Sequence, residues 1–179
     1  MKHIKILASV LVCIVFLSVC EKEQESKTTN SFKYDGKEYS ITQGCLIDRG
    51  ISSSGGDRRI DLILLSESFT IVDSVNELKK ILGIGHFTEF YMYSSSATGL
   101  DSTRYTYDLL DVRKAGTYGY GRFGIDYEIE TQTGFEREVD SGTLTVSKTG
   151  AKYEITINCT DKNAKSFTGY YKGALNFYP

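Results

Sequence analysis

From Phe32 to the C-terminus, apolar and polar residues alternate with a period of two over short runs, the pattern of strands with one covered and one wet face. FKYDGKEYSITQGCLID, RRIDLILLS, HFTEFYMYS, RYTYDLL, GTYGYG, GIDYEIET, REVDSGTLTVS, KYEITINCT and KSFTGYYKGALNFY are therefore expected to be β structure. Asp35-Gly36 lies between two β-rich arms and reads as a tight hairpin turn, because both central positions of that turn need positive φ. In the second arm Tyr39, Ile41, Cys45 and Ile47 are expected to share a face. The Ser- and Gly-rich stretch 48–57 reads as an exposed loop, and the run 58–66 is apolar on both faces at its centre, so both should be covered. Thr149-Gly150 and residues 161–165 supply two further turns.

One segment breaks the period. Ser74-Val75-Asn76-Glu77 fits a helical capping box, Val75, Leu78, Ile81 and Leu82 then fall on one side of a helix, and Gly83 can end it. A helix this short has no stability of its own in water, so it should dock on the sheet. About nine or ten short strands with one short helix define an all-β chain, read as an antiparallel β-barrel, with a β-sandwich as the alternative. The barrel is preferred because closure removes exposed strand edges.

Ahead of the strands, Lys2 and Lys5 precede an uncharged run, 6–19, of fourteen residues. At about 1.5 Å per residue that run reaches only about 21 Å as a helix, short of a bilayer's hydrocarbon core. A basic start and a short apolar run make residues 1–19 a secretory signal peptide. Leu17-Ser18-Val19-Cys20 resembles the bacterial lipobox, which implies that Cys20 becomes the lipidated first residue of the mature chain; a conventional cut after Cys20 is the alternative. Residues 20–31 then form the lipidated cysteine and a polar, flexible tether, and 32–179 a single barrel domain. Glu21, Glu23 and Glu25 resemble the surface-export signal of lipoproteins in the Bacteroidota; a solvated linker without an address is the other reading.

Processing changes the arithmetic. The 179-residue chain has 21 basic and 23 acidic residues; residues 1–19 carry two of the basic and none of the acidic ones, so the mature form is 160 residues at net −4. Such a chain has no electrostatic reason to seek nucleic acid. His3 leaves with the signal peptide, and His86 alone supports no serine or cysteine triad with a second base and no multi-histidine metal site. Cys45 and Cys159 remain, either as one disulfide or as two buried thiols. Gly119-Tyr120-Gly121-Arg122-Phe123-Gly124 matches GxGxxG, but a strand pattern follows where a dinucleotide site needs a helix, so the glycines are read as turns or close strand contacts and no cofactor is assigned. Asp126, Glu128 and Glu130 form a row of carboxylates read as a solvated face, and no metal is assigned.

The most suggestive pattern is Tyr-x-Tyr, which recurs at Tyr91/Tyr93, Tyr105/Tyr107 and Tyr118/Tyr120. On regular strands each pair shares a face, so three strands would line a barrel mouth with aromatic rings and hydroxyls. SGTLTVSKTGAKYEITINCTDKNAKSFTGYYKGALNFY, with YDGKEYSI and AGTYGYG upstream, resembles the small calycin- or lipocalin-like lipoproteins of the Bacteroidota. The resemblance implies that fold and an outer-membrane, lipid-anchored location. The expected function is a non-catalytic binding module for a small amphipathic molecule or glycan at the barrel mouth. A structural or protein-interaction lipoprotein with a packed barrel is the alternative.

Overall fold

A computed structural model describes residues 29–51, 56–74 and 77–179. The expected signal peptide, Cys20 and the tether as far as residue 28 lie outside the described residues. The chain enters a hairpin of β1 (Ser31–Tyr34) and β2 (Lys37–Ser40), turned by Asp35 at φ 51° and Gly36 at φ 76°. β3 (Gln43–Ile51) runs into the stretch expected to be loop and pairs antiparallel with β4 (Arg58–Leu65). β5 (Thr70–Ser74) and β6 (Glu77–Leu82) make a separate two-stranded sheet. β7 (Ile84–Ser94), β8 (Arg104–Tyr107), β9 (Thr117–Glu128) and β10 (Thr133–Thr149) follow. β11 (Lys152–Asp161), β12 (Ser166–Ala174) and β13 (Asn176–Tyr178) complete the chain.

Among the described residues the fold is all-β, with eleven strands in one sheet of order β13-β3-β4-β7-β9-β8-β10-β11-β12-β1-β2. The sheet is mixed rather than purely antiparallel, because β13 runs parallel to β3 and β8 parallel to β9. Its ladder is open, with β13 and β2 as edges. It nevertheless curls on itself: Phe123 of β9 stacks on Phe167 of β12 at 4.3 Å, although β10, which pairs with β9 at Phe123, and β11 stand between those strands in the sheet.

The inner face of this curl holds the main core. Phe32, Leu46, Ile60, Leu62, Leu64, Phe90, Met92, Phe123, Leu144, Val146, Ile155, Ile157 and Phe167 pack there, each within 2% of full burial. The alternation expected in β10 and β11 is therefore observed. The run 58–66 is covered on both sides as expected: Ile60, Leu62 and Leu64 face the main core, while Ile63 and Leu65 join Cys45, Phe69, Phe87, Tyr127 and Tyr178 in a second cluster on the outer face. Tyr39 and Ile41 face the main core but Cys45 and Ile47 the second cluster, because β2 ends at Ser40 and β3 starts anew at Gln43.

What covers the second cluster is a hairpin where a helix was expected. Residues 77–82 are extended, and Ile71 of β5 pairs with Ile81 of β6. The ladder steps from Val72 opposite Lys80 to Asp73 opposite Leu78, a β-bulge that sets two residues against one. The bulge brings Leu78 and Ile81, three positions apart, to the same cluster. That spacing is the one a helix face shows, so the docking was correctly expected and the secondary structure was not.

Asp161 fastens the β11–β12 turn to the first hairpin. Its carboxylate, 1% exposed, accepts hydrogen bonds from the Tyr34 hydroxyl at 2.7 Å and from the Asn163 and Lys165 amides at 2.8 and 2.9 Å. Burial opposes the charge, but the Tyr34 hydroxyl and the two amides outweigh it and hold the carboxyl below its ordinary pKa. Burial, and then the bond to Asp161, push the Tyr34 hydroxyl up to about 12. A depressed folded-state pKa contributes stability that is present above the unfolded value and lost as pH falls through the folded one. Asp161→Asn is therefore expected to lower stability at pH 7 by on the order of 1–2 kcal/mol, and the gap from wild type should narrow below about pH 4 in denaturant titrations.

Candidate functional site

The six tyrosines do not form one lining. Tyr105 and Tyr118 are fully buried in the main core, where burial raises both hydroxyls above their ordinary pKa, and Tyr107 packs beside them with its ring 5.4 Å from that of Tyr118. Tyr91, Tyr93 and Tyr120 belong to the opposite, outer face, paired with Asp61, Arg59 and Tyr91 respectively in the ladder. Parity separates Tyr91 and Tyr93 from Tyr105 and Tyr107. A bulge then splits the third pair, because β9 steps from Tyr120 opposite Tyr91 to Tyr118 opposite Met92. The expected barrel-mouth lining is thus corrected: half of it is core and half is outer surface. The interior of the curled sheet is filled, with Phe32, Phe90, Phe123 and Phe167 meeting ring to ring.

On the outer face the tyrosines sit in a charge network that satisfies itself. Asp61, with no exposure, takes Arg49 Nε at 2.8 Å and Arg59 Nε at 2.7 Å. The Arg59 guanidinium lies 3.5 Å over the Tyr91 ring, whose centroid is 4.8 Å from that of Tyr120. Burial raises the Tyr120 hydroxyl to about 12. Burial also works against the Arg122 charge, but Glu89 at 2.6 Å and Glu136 at 3.0 Å overrule it and raise its pKa. The ring faces are largely spoken for by Arg59 and by each other, so the cluster is a brace rather than an open stacking platform.

The remaining candidates resolve individually. Cys45 and Cys159 are free thiols on opposite faces of the sheet, Cys45 in the outer cluster and Cys159 in the main core beside the Tyr118 hydroxyl at 3.6 Å. The sheet itself stands between the two sulfurs. Burial, with the nearby Glu89 charge, pushes the Cys45 thiol up to about 12, and burial raises Cys159 as well, so both stay protonated and unreactive. Gly119, Gly121 and Gly124 lie within the single strand β9. A Cβ on Gly121 would come within 2.7 Å of Phe90, and one on Gly124 within 2.2 Å of Phe87, so these glycines admit aromatic rings rather than phosphate. His86 Nδ1 accepts the Asp126 amide at 3.2 Å, and its ring meets Tyr39 edge-on at 5.0 Å. In the carboxylate row Glu128 accepts the Thr131 hydroxyl at 2.6 Å, and Glu130 lies 3.7 Å from Lys80.

Space for a ligand lies on the outer face instead. A groove of about 450 Å³ runs between the β5–β6 hairpin and the sheet. Its apolar floor is Ile47, Ile63, Leu78, Ile81, Ile129 and Tyr178, and its rim carries Asp48, Arg49, Glu77 and Lys80. Arg49 and Lys80 are each about half exposed, which leaves their donors reachable beyond the pairs they make with Asp61 and Glu130. Tyr178 closes one wall through a 2.5 Å bond from its hydroxyl to Asp73 of the hairpin. A second groove, of about 580 Å³, crosses β1, β11 and β12, with Ser31, Lys33, Thr156, Asn158, Thr168 and Tyr170 among its walls. Sequence reasoning missed the first groove because its floor comes from segments far apart in the chain. The signal that existed was the two-sided apolar run 58–66, which demanded a cover. No protein-family model, curated protein or solved structure matches this chain.

Proposed function

We propose that the chain is a lipid-anchored lipoprotein of the outer membrane, held through Cys20, whose lipocalin-like barrel is a non-catalytic binding module for a small amphipathic molecule. The observation that carries the ligand reading is the groove beneath the β5–β6 hairpin: an apolar floor closed at one side by charge. An alkyl chain would lie on Ile47, Ile63, Leu78 and Ile81, and an anionic head would meet Arg49 and Lys80 at the rim. In this reading the curled sheet is the barrel, left unlaced between its two edge strands, and recognition has moved from its filled interior to its flank. The groove across β11 and β12 offers hydroxyl and amide partners for a glycan, and Ile157 is the one aliphatic side chain among its lining residues.

The test is displacement of the anionic fluorophore anilinonaphthalene sulfonate by dodecanoate. Saturable binding at one site is expected, and Ile81→Asp should weaken it at least about tenfold, since a charge on the floor forfeits the apolar contact. Unsaturable binding, or an Ile81→Asp variant that binds as well as wild type, would overturn the reading. A structural or protein-interaction role is the second reading, favoured by the filled interior together with the exposed side chains of Leu109 and Leu110.

A further inference from the structure

We infer that the loop between β8 and β9 is a membrane-contact device, seating Leu109 and Leu110 in the bilayer that holds the lipid anchor; this rests on the anchored-lipoprotein reading above. The two leucines are 82% and 84% exposed, and Val112 beside them is 45% exposed. Apolar side chains so open usually belong to slack loops, but this loop is built. Asp108 accepts the Arg113 amide at 2.6 Å, and the Asp111 carboxylate holds the Arg113 guanidinium at 2.6 and 2.8 Å. Asp57 donates its amide to the Arg113 carbonyl at 2.8 Å and accepts the Ala115 amide at 2.7 Å. The Gly116 amide reaches the Tyr93 carbonyl at 3.0 Å, and the Asp108 amide the Tyr118 carbonyl at 2.9 Å. Asp111 and Arg113 both sit at positive φ, 51° and 57°, a conformation that Asp tolerates but Arg adopts uncommonly. The fold thus constrains backbone to hold two leucines out in water.

The course of the chain says what they meet. Asn30 is fixed to β12 by bonds to the Lys172 amide at 2.7 Å and the Lys172 carbonyl at 3.2 Å, so the tether leaves the sheet at that point. Followed through the register, Lys172 lies opposite Glu154 and Glu154's partner on β10 is Ser147, near the β10–β11 turn. Across β8, Arg104 lies opposite Thr145, and Tyr93 lies opposite Thr117 at the start of β9. The tether exit and the loop's attachment therefore belong to the same end of the sheet. Residues 20–28 extend at most about 30 Å, so an acylated Cys20 keeps that end close to the bilayer. The loop's charges, Asp108, Asp111, Arg113 and Lys114, cancel, so insertion is apolar and should not need anionic lipid.

The chain contains no tryptophan, which makes a single introduced one an unambiguous reporter. The acylated full chain carrying Leu110→Trp is reconstituted into phosphatidylcholine vesicles with acyl-chain bromines, beside an Ile84→Trp control at the other end of β7. Emission from the Leu110→Trp chain should shift to the blue and be quenched about twofold or more by the brominated lipid, and the control should not. Equal quenching in the two chains, or none in either while the protein floats with the vesicles, overturns the insertion and assigns the leucines to a protein contact. Failure to float, or flotation undiminished by Cys20→Ala, contradicts the anchor itself and takes the insertion with it.

Discussion

Phe167→Ala is expected to cost about 3–5 kcal/mol, the largest loss from a single truncation in this fold. Its ring stacks flat on Phe123 at 4.3 Å with 5° between the planes, and stands 5.4 Å from Phe32 and 6.4 Å from Phe90. Phe32 sits on β1, the ladder neighbour of β12, but Phe123 and Phe90 come from β9 and β7, so the ring also joins strands that the hydrogen-bonded ladder leaves apart. Its removal opens a hole at the point where the sheet folds back on itself, and the surrounding rings cannot collapse into it without uncurling the sheet. For a domain of this size the midpoint of thermal unfolding should fall by on the order of 10 °C. Tyr170→Ala, on the outer face of the same strand, should cost well under half as much in the same denaturant titration. A Phe167→Ala loss as small as that control would mean a loosely filled interior with room for a ligand inside the curled sheet.

The second large effect is electrostatic. Replacing both Arg49 and Arg59 by alanine strands the Asp61 carboxylate, which has no exposure, and is expected to cost about 3–5 kcal/mol. Most of this is the desolvation of an unpaired charge rather than the worth of the ion pairs. Adding Asp61→Asn to the double variant should therefore recover much of the loss. The two arginines are partly exposed, 50% and 34%, so Asp61→Asn alone leaves cations that water can still reach and should cost less than the double change. A triple variant no more stable than the double would place the loss in packing, chiefly the Arg59 stem and guanidinium over Tyr91.

What the amino-acid order conveys here is parity, and it serves wherever the ladder is regular. Asp35-Gly36 turns the first hairpin, the turn after Thr149 uses Gly150 at φ 61°, and Leu144, Val146, Ile155 and Ile157 face inward as their alternation requires. Bulges are invisible to parity. One in β6 brings Leu78 and Ile81 together at a helical spacing, and one in β9 sends Tyr118 and Tyr120 to opposite faces. Both errors have the same physical root: an extra residue in one strand inverts every face assignment beyond it. The candidate groove was illegible for another reason. Ile47, Ile63 and Ile81 come from β3, β4 and β6 and Ile129 from the turn just after β9, and only the docking of the hairpin makes them neighbours. Of the two readings open for Cys45 and Cys159, the structure has the two buried thiols, which lie on different sides of the sheet.

The most direct measurement of the binding account is a dodecanoate titration of the full chain labelled with ¹³C at its isoleucine methyls. Ile47, Ile63, Ile81 and Ile129 line the groove, whereas Ile60, Ile155 and Ile157 lie in the main core. Saturable shifts in the first set, with the second set unmoved, are the predicted result. Shifts confined to Ile60, Ile155 and Ile157, or no saturable shift in any isoleucine, would contradict the account.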